Sequence, residues 1–135
     1  MFSITTQVRY KETDQGGRVY HSNYLVWLDI ARTEFLKAND IDYAQMEKNE
    51  TFLVVRKASL EYLAPAYYDQ IVKIIITSTK TDKIKVDINY EILDNKMNKL
   101  LVKAYIQLIT VNKNGKPIKI PENIKTVFNQ QNTLL

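Results

Sequence analysis

The stretch that decides the fold runs from Thr13 to Leu36, TDQGGRVYHSNYLVWLDIARTEFL. It sets a carboxylate, Asp14, in a loop with two of the chain's three glycines, Gly16 and Gly17, and follows it with the only histidine, His21. From Tyr24 the apolar residues Tyr24, Leu25, Trp27, Leu28, Ala31, Phe35 and Leu36 recur at three and four, the spacing of one broad helical face. Ser22 or Asn23 is placed to cap the helix start by accepting an orphaned backbone N–H. Lys37 suits the C-terminal dipole, and Asn39 suits a stop. A helix this apolar is expected to be buried, with the rest of the chain as sheet around it.

Upstream, Phe2 to Tyr10 interleaves Ile4, Val8 and Tyr10 with polar and β-branched residues, a first strand, and Lys11 to Ser22 is the loop. Downstream, Ile41 to Asn49 fits one or two helical turns. Phe52 to Leu63 alternates as a strand and is ended by Pro65. Gln70 to Thr79 is nearly all apolar or β-branched, as a central strand would be. Ile84, Val86, Ile88, Tyr90 and Ile92 alternate with Lys83, Lys85, Asp87, Asn89 and Glu91, so one face is buried and the other wet. Asp94-Asn95-Lys96 with Asn98 predicts a hairpin turn into a last strand, Lys99 to Val111, which Asn114-Gly115 closes. Pro121-Glu122 opens a short helix, and the polar tail NQQNTLL is expected to fray.

One strand, one long helix and four further strands at hairpin spacing predict an α+β fold, a single domain over residues 1–135 with an antiparallel sheet against its dominant helix. Sheet edges left open by that layout favour pairing between copies, so a homodimer or homotetramer is expected.

The 135 residues suffice for one packed core, and 45% hydrophobic with 25% charged residues is ordinary globular composition. The absence of cysteine excludes disulfides, thiolate nucleophiles and Cys-ligated metals. The N-terminus lacks a secretory pattern and no segment reaches a membrane span, so a cytoplasmic location is expected. The net charge of +4 suits an anionic partner, but much of the lysine alternates along strands as a solvated face, and no nucleic-acid recognition motif is present.

Chemically, a carboxylate just ahead of a helix start sits in the field of unsatisfied N–H groups, which favours its ionised form as nucleophile or base. The same N–H groups can receive the charge on a carbonyl oxygen under attack, so the pattern suggests acyl transfer or hydrolysis. On spacing alone the plainer reading stands beside it: Asp14 as a turn former and His21 as a loop or capping residue.

The run VRYKETDQGGRVYHSNYLVWLDIARTEFL, residues 8–36, resembles the signature of hotdog-fold acyl-CoA thioesterases, in the Tol-Pal-associated branch of the 4-hydroxybenzoyl-CoA thioesterase family. Glu12, Thr13, Asp14, Gly17, Val19, Tyr20, His21, Asn23, Tyr24, Trp27, Ala31, Arg32, Glu34 and Phe35 carry the likeness, which continues through Ala58–Gln70 and Asn114–Glu122. The resemblance implies a hotdog fold, a long central helix wrapped by a curved antiparallel sheet of about five strands, with subunits pairing to extend it. It implies acyl-CoA as substrate, Asp14 as the catalytic carboxylate, the His21 backbone N–H as oxyanion donor, and no cofactor or metal. The imidazole of His21 is implied to sit beside the thioester. Gly17, Tyr20, Tyr24 and Trp27 are substrate-binding candidates by position, although core packing is the stronger reading for Tyr24 and Trp27. Arg56, Lys57 and Lys83, with Lys80 and Lys85, are candidates for the phosphates of coenzyme A. Glu12 is read as positioning the loop, and Arg32 with Glu34 as a structural pair. Two positions depart from the signature: Gly16 stands where a larger residue is frequent, and Arg18 where a small apolar one is usual. A hotdog dehydratase fits poorly, because the acid precedes the histidine. A non-catalytic acyl-CoA-binding protein and a thioesterase for acyl-carrier-protein substrates remain as alternatives.

Overall fold

The computed structural model describes residues 1–133. Five strands form one antiparallel sheet: β1 (Ser3–Gln7), β2 (Phe52–Tyr62), β3 (Ile71–Thr81), β4 (Lys85–Asp94) and β5 (Leu100–Val111), in the order β1-β3-β4-β5-β2. Three α-helices accompany it: α1 (Asn23–Ala38), α2 (Tyr43–Lys48) and α3 (Glu122–Thr133). The architecture is the expected hotdog, with α1 against one face of the sheet.

The alternation read in β4 is the alternation observed. Val86, Ile88, Tyr90 and Ile92 are buried, and so are their partners on β5, Val102, Ala104, Ile106 and Leu108. Toward them α1 turns Tyr24, Trp27, Leu28, Ala31, Phe35 and Leu36. The Phe35 ring meets Phe2 on one side and Phe128 of α3 on the other, each at 5.5 Å between centroids.

Four expectations need correction. The four later strands are not all hairpin neighbours, because β2 pairs with β5 and the connection from Leu63 to Gln70 crosses to β3 on the far side. The first strand ends at Gln7, and a 3-10 turn, Tyr10–Glu12, begins the loop instead. The tail is helical through Thr133, because Ile124, Val127 and Phe128 anchor α3 in the core; Leu134 and Leu135 lie outside the described residues. Finally, α1 is buried on one side only: Leu25, Val26 and Ile30 are exposed in the single chain. Edge strand β2 is likewise exposed over most of its length.

Candidate active site

Asp14 opens a four-residue turn in which Gly17 N–H donates to its carbonyl at 3.0 Å. Gly17 holds φ at +79°, a left-handed value that a Cβ would strain. One carboxylate oxygen, Oδ1, accepts from Gly16 N–H at 2.8 Å and from Arg18 N–H at 3.2 Å. The carboxylate thereby curls back over its own turn, as Asp commonly does. Oδ2 has no hydrogen-bond partner among the described residues. Gly16 needs no unusual φ, but a Cβ there would stand 3.3 Å from Asp14 Oδ1 and crowd the carboxylate.

The turn is clamped to α1 through Glu12, a buried carboxylate with both oxygens used. Oε1 accepts from Arg9 N–H at 2.7 Å and Oε2 from the Trp27 indole N–H at 2.7 Å. The Glu12 carbonyl accepts from Tyr20 N–H at 2.9 Å and from the Asn23 side-chain amide at 2.7 Å. The loop-positioning role read for Glu12 is thus visible in its bonds. Asn23 spends its side chain on the loop, and Ser22, at the N-cap position, makes no side-chain cap. The expected cap is therefore absent. The hydrogen bonds that hold the Asp14 carboxylate come from its own turn rather than from the helix end.

Leaving the helix start uncapped has a chemical consequence. Among the described residues the His21 N–H has no hydrogen-bond partner, so it is free to meet a ligand oxygen. The His21 carbonyl is fixed from the other side by the Tyr62 hydroxyl at 3.0 Å, and its ring lies against Tyr20 at 4.4 Å between centroids.

An open groove of about 410 Å³ collects these groups. Asp14, Arg18, Tyr20, His21 and Tyr24 line one wall with Val19, and Tyr62 to Pro65 line the other. The second wall is the crossing connection after β2, zipped to the loop by the Val19 N–H to Ala66 carbonyl bond at 2.9 Å and the Tyr68 N–H to Gly17 carbonyl bond at 3.0 Å. Tyr24 packs against Tyr62 and Trp27, and its hydroxyl accepts from Ala66 N–H at 3.3 Å. Burial raises the Tyr24 pKa above its usual value, against a smaller lowering by the Ala66 bond, so its hydroxyl stays neutral.

The sequence candidates divide accordingly. Asp14, Tyr20, His21 and Tyr24 come together, with Gly17 in the supporting turn. Trp27 is only 1% exposed and sits behind Tyr24, outside the groove lining. Arg56 lies at the β2 bulge, where it donates to the Gln107 side chain at 3.2 Å, with Lys57 beside it. Lys83 is in the β3–β4 turn, so none of these three cations lines the groove of its own chain. Arg32 pairs with Asp29 at 3.2 Å and Glu34 with Lys37 at 3.7 Å, so the two are not paired with each other. The wall from Tyr62 to Pro65 had no assigned role in the sequence, although the resemblance runs through it. The likeness at Ala58–Gln70, distant in sequence from the Asp14 loop, was the available signal.

Comparison with known proteins bears on the family and the fold. The profile of the thioesterase-like superfamily matches residues 8–128. The chain is 31% identical to the acyl-CoA thioester hydrolase YbgC of Escherichia coli over 131 residues, which is 96% of this chain and 97% of that protein. It is 29% identical to the acyl-CoA thioesterase YbgC of Haemophilus influenzae, across 94% of this chain and 93% of that one. Among solved structures, a 1,4-dihydroxy-2-naphthoyl-CoA thioesterase from Synechocystis superposes with a TM-score of 0.89 over 95% of each chain, at 22% identity. That degree of likeness speaks for the fold alone.

Proposed function

The chain belongs to the thioesterase-like superfamily, and from that premise we propose that it hydrolyses the thioester of a short-to-medium or aromatic acyl-CoA to the free acid and coenzyme A. The observation that carries the reading is the pairing, in one groove, of a carboxylate oxygen and a backbone N–H that have no hydrogen-bond partner among the described residues. The carbonyl oxygen of the thioester would accept from His21 N–H, and negative charge would gather there as the carbonyl carbon is attacked. Asp14 Oδ2 either attacks that carbon itself, expelling the thiolate and leaving an anhydride that water opens, or takes a proton from a water that attacks. Either route consumes one water and releases one acid and one thiol. Oxygen-18 from water entering the Asp14 carboxylate in a single turnover would mark the first route.

Assembly belongs to the same proposal. Val54, Val55, Tyr62 and Leu63 are exposed along the edge strand and beyond it, as are Leu25, Val26 and Ile30 on α1. A second copy pairing along β2 would cover them and join two sheets into one, giving a homodimer or, by further pairing, a homotetramer. Contacts from Arg56, Lys57 or Lys83 to the phosphates of coenzyme A would then come from a neighbouring copy. The test is thiol release from a panel of acyl-CoAs of graded chain length, with aromatic members. Hydrolysis of at least one class well above the buffer rate is expected, and no hydrolysis of any would refute the activity.

A further inference from the structure

Arg18 is the one cation lining the Asp14 groove among the described residues. Its backbone is pinned to Asp14, donating to Oδ1 at 3.2 Å and accepting from the Asp14 backbone N–H at 2.7 Å. Its side chain is exposed and makes no ion pair among the described residues, not even with Asp14. The rest of the groove lining includes the apolar residues Leu63, Ala64 and Pro65. An unpaired guanidinium at this point wants an anion from the ligand.

Reach decides which anion. Arg18 is held within one side-chain length of Asp14, and hence of the thioester carbonyl. The arm that separates the thioester sulfur from the diphosphate of coenzyme A contains two amide units and is longer than an arginine side chain. With coenzyme A extended, its phosphates would lie past Arg18, and the anion within reach of Arg18 would be one near the carbonyl, on the acyl group.

Building on the thioesterase reading above, we propose that Arg18 is a specificity-determining residue that selects acyl groups ending in a carboxylate, so that short dicarboxylic acyl-CoAs are the favoured substrate class. The planar guanidinium fork suits a carboxylate, and its charge needs no change of protonation to act. Because the groove is open, solvent and salt screen the contact, and the selectivity is moderate.

The experiment compares kcat/KM for succinyl-CoA and glutaryl-CoA with that for butyryl-CoA and pentanoyl-CoA, in the wild type, Arg18→Gln and Arg18→Lys. Wild type should favour the dicarboxylic members by about tenfold at low salt, a ratio that narrows as salt is added. Arg18→Gln should bring the ratio near one, and Arg18→Lys should keep part of it. A ratio between substrates is insensitive to how much enzyme folds. Hydrolysis with no dicarboxylic preference, or with a preference that Arg18→Gln leaves intact, would overturn the role of Arg18 while leaving the thioesterase reading standing. A loss in Arg18→Gln that is equal on all four substrates would place Arg18 on the shared coenzyme A portion and also overturn it. Failure to hydrolyse any thioester would overturn both.

Discussion

Glu12 is the residue on which the site's geometry turns. Its carboxylate ties the backbone of Arg9 to the indole of Trp27, and so ties the Asp14 loop to the helix that presents His21. Replacing it with glutamine keeps the volume but sets an amide N–H₂ against one of two N–H donors. Glu12→Gln should therefore lose about 1–3 kcal/mol of unfolding free energy, the usual cost of stranding a buried donor. Denaturant unfolding reads this directly, and a variant as stable as wild type would deny Glu12 its clamp role. The residue types in this loop were legible in the sequence as a carboxylate and a histidine at a helix mouth. The roles of Asp14, the His21 N–H and Glu12 came from the family resemblance, whereas the bonds by which Glu12 and Asn23 hold the loop to the helix follow from no local pattern.

At the scale of elements, β4 and α1 show how far periodicity reaches. Strict alternation located β4 and its buried face, and the three-four repeat located α1. The repeat did not show that Leu25, on the margin of that apolar stripe, and Val26 and Ile30 beyond it would stay exposed in a single chain. Nor could it show the crossing from β2 to β3, since strand order depends on partners distant in sequence. The α1–β4 contact carries a pH signature of its own. Tyr90 of β4 is buried beside Arg32 of α1; burial drives its pKa up from 10.0 against the opposing pull of the guanidinium. An acid whose folded pKa is raised stabilises the fold fully below its unfolded value. Above pH 10.0 the unfolded chain releases this proton while the folded one keeps it, and stability falls as pH rises. Melting temperature should decline above that pH, and less steeply in Tyr90→Phe. Identical alkaline slopes for the two proteins would contradict the burial of that hydroxyl as a titrating group.

For the whole molecule, two apolar surfaces stand open, the β2 edge and the outer side of α1. A single chain leaves apolar side chains of β2 and α1 in water, and the second copy proposed above would bury both together. Val55 is 51% exposed in the single chain, so Val55→Glu should cost the subunit little while placing a charge in the pairing edge. Light scattering should show a dimer or tetramer for the wild type and a smaller species for the variant. A wild type that is monomeric and fully active would remove assembly from the account. The expectation of a partner came from the open edges of such a sheet in the sequence, whereas the surface proposed for it could be named only once β2 was found outermost.

The central claim is that Asp14 Oδ2 does the chemistry while Oδ1 serves the turn. Asp14→Asn separates the two, because the amide oxygen can still accept from Gly16 and Arg18 while the reacting oxygen becomes an amide nitrogen. Measured as kcat for the best acyl-CoA, at matched thermal stability, Asp14→Asn should fall by about 10²–10⁴-fold. A kcat within a few-fold of wild type would contradict the account.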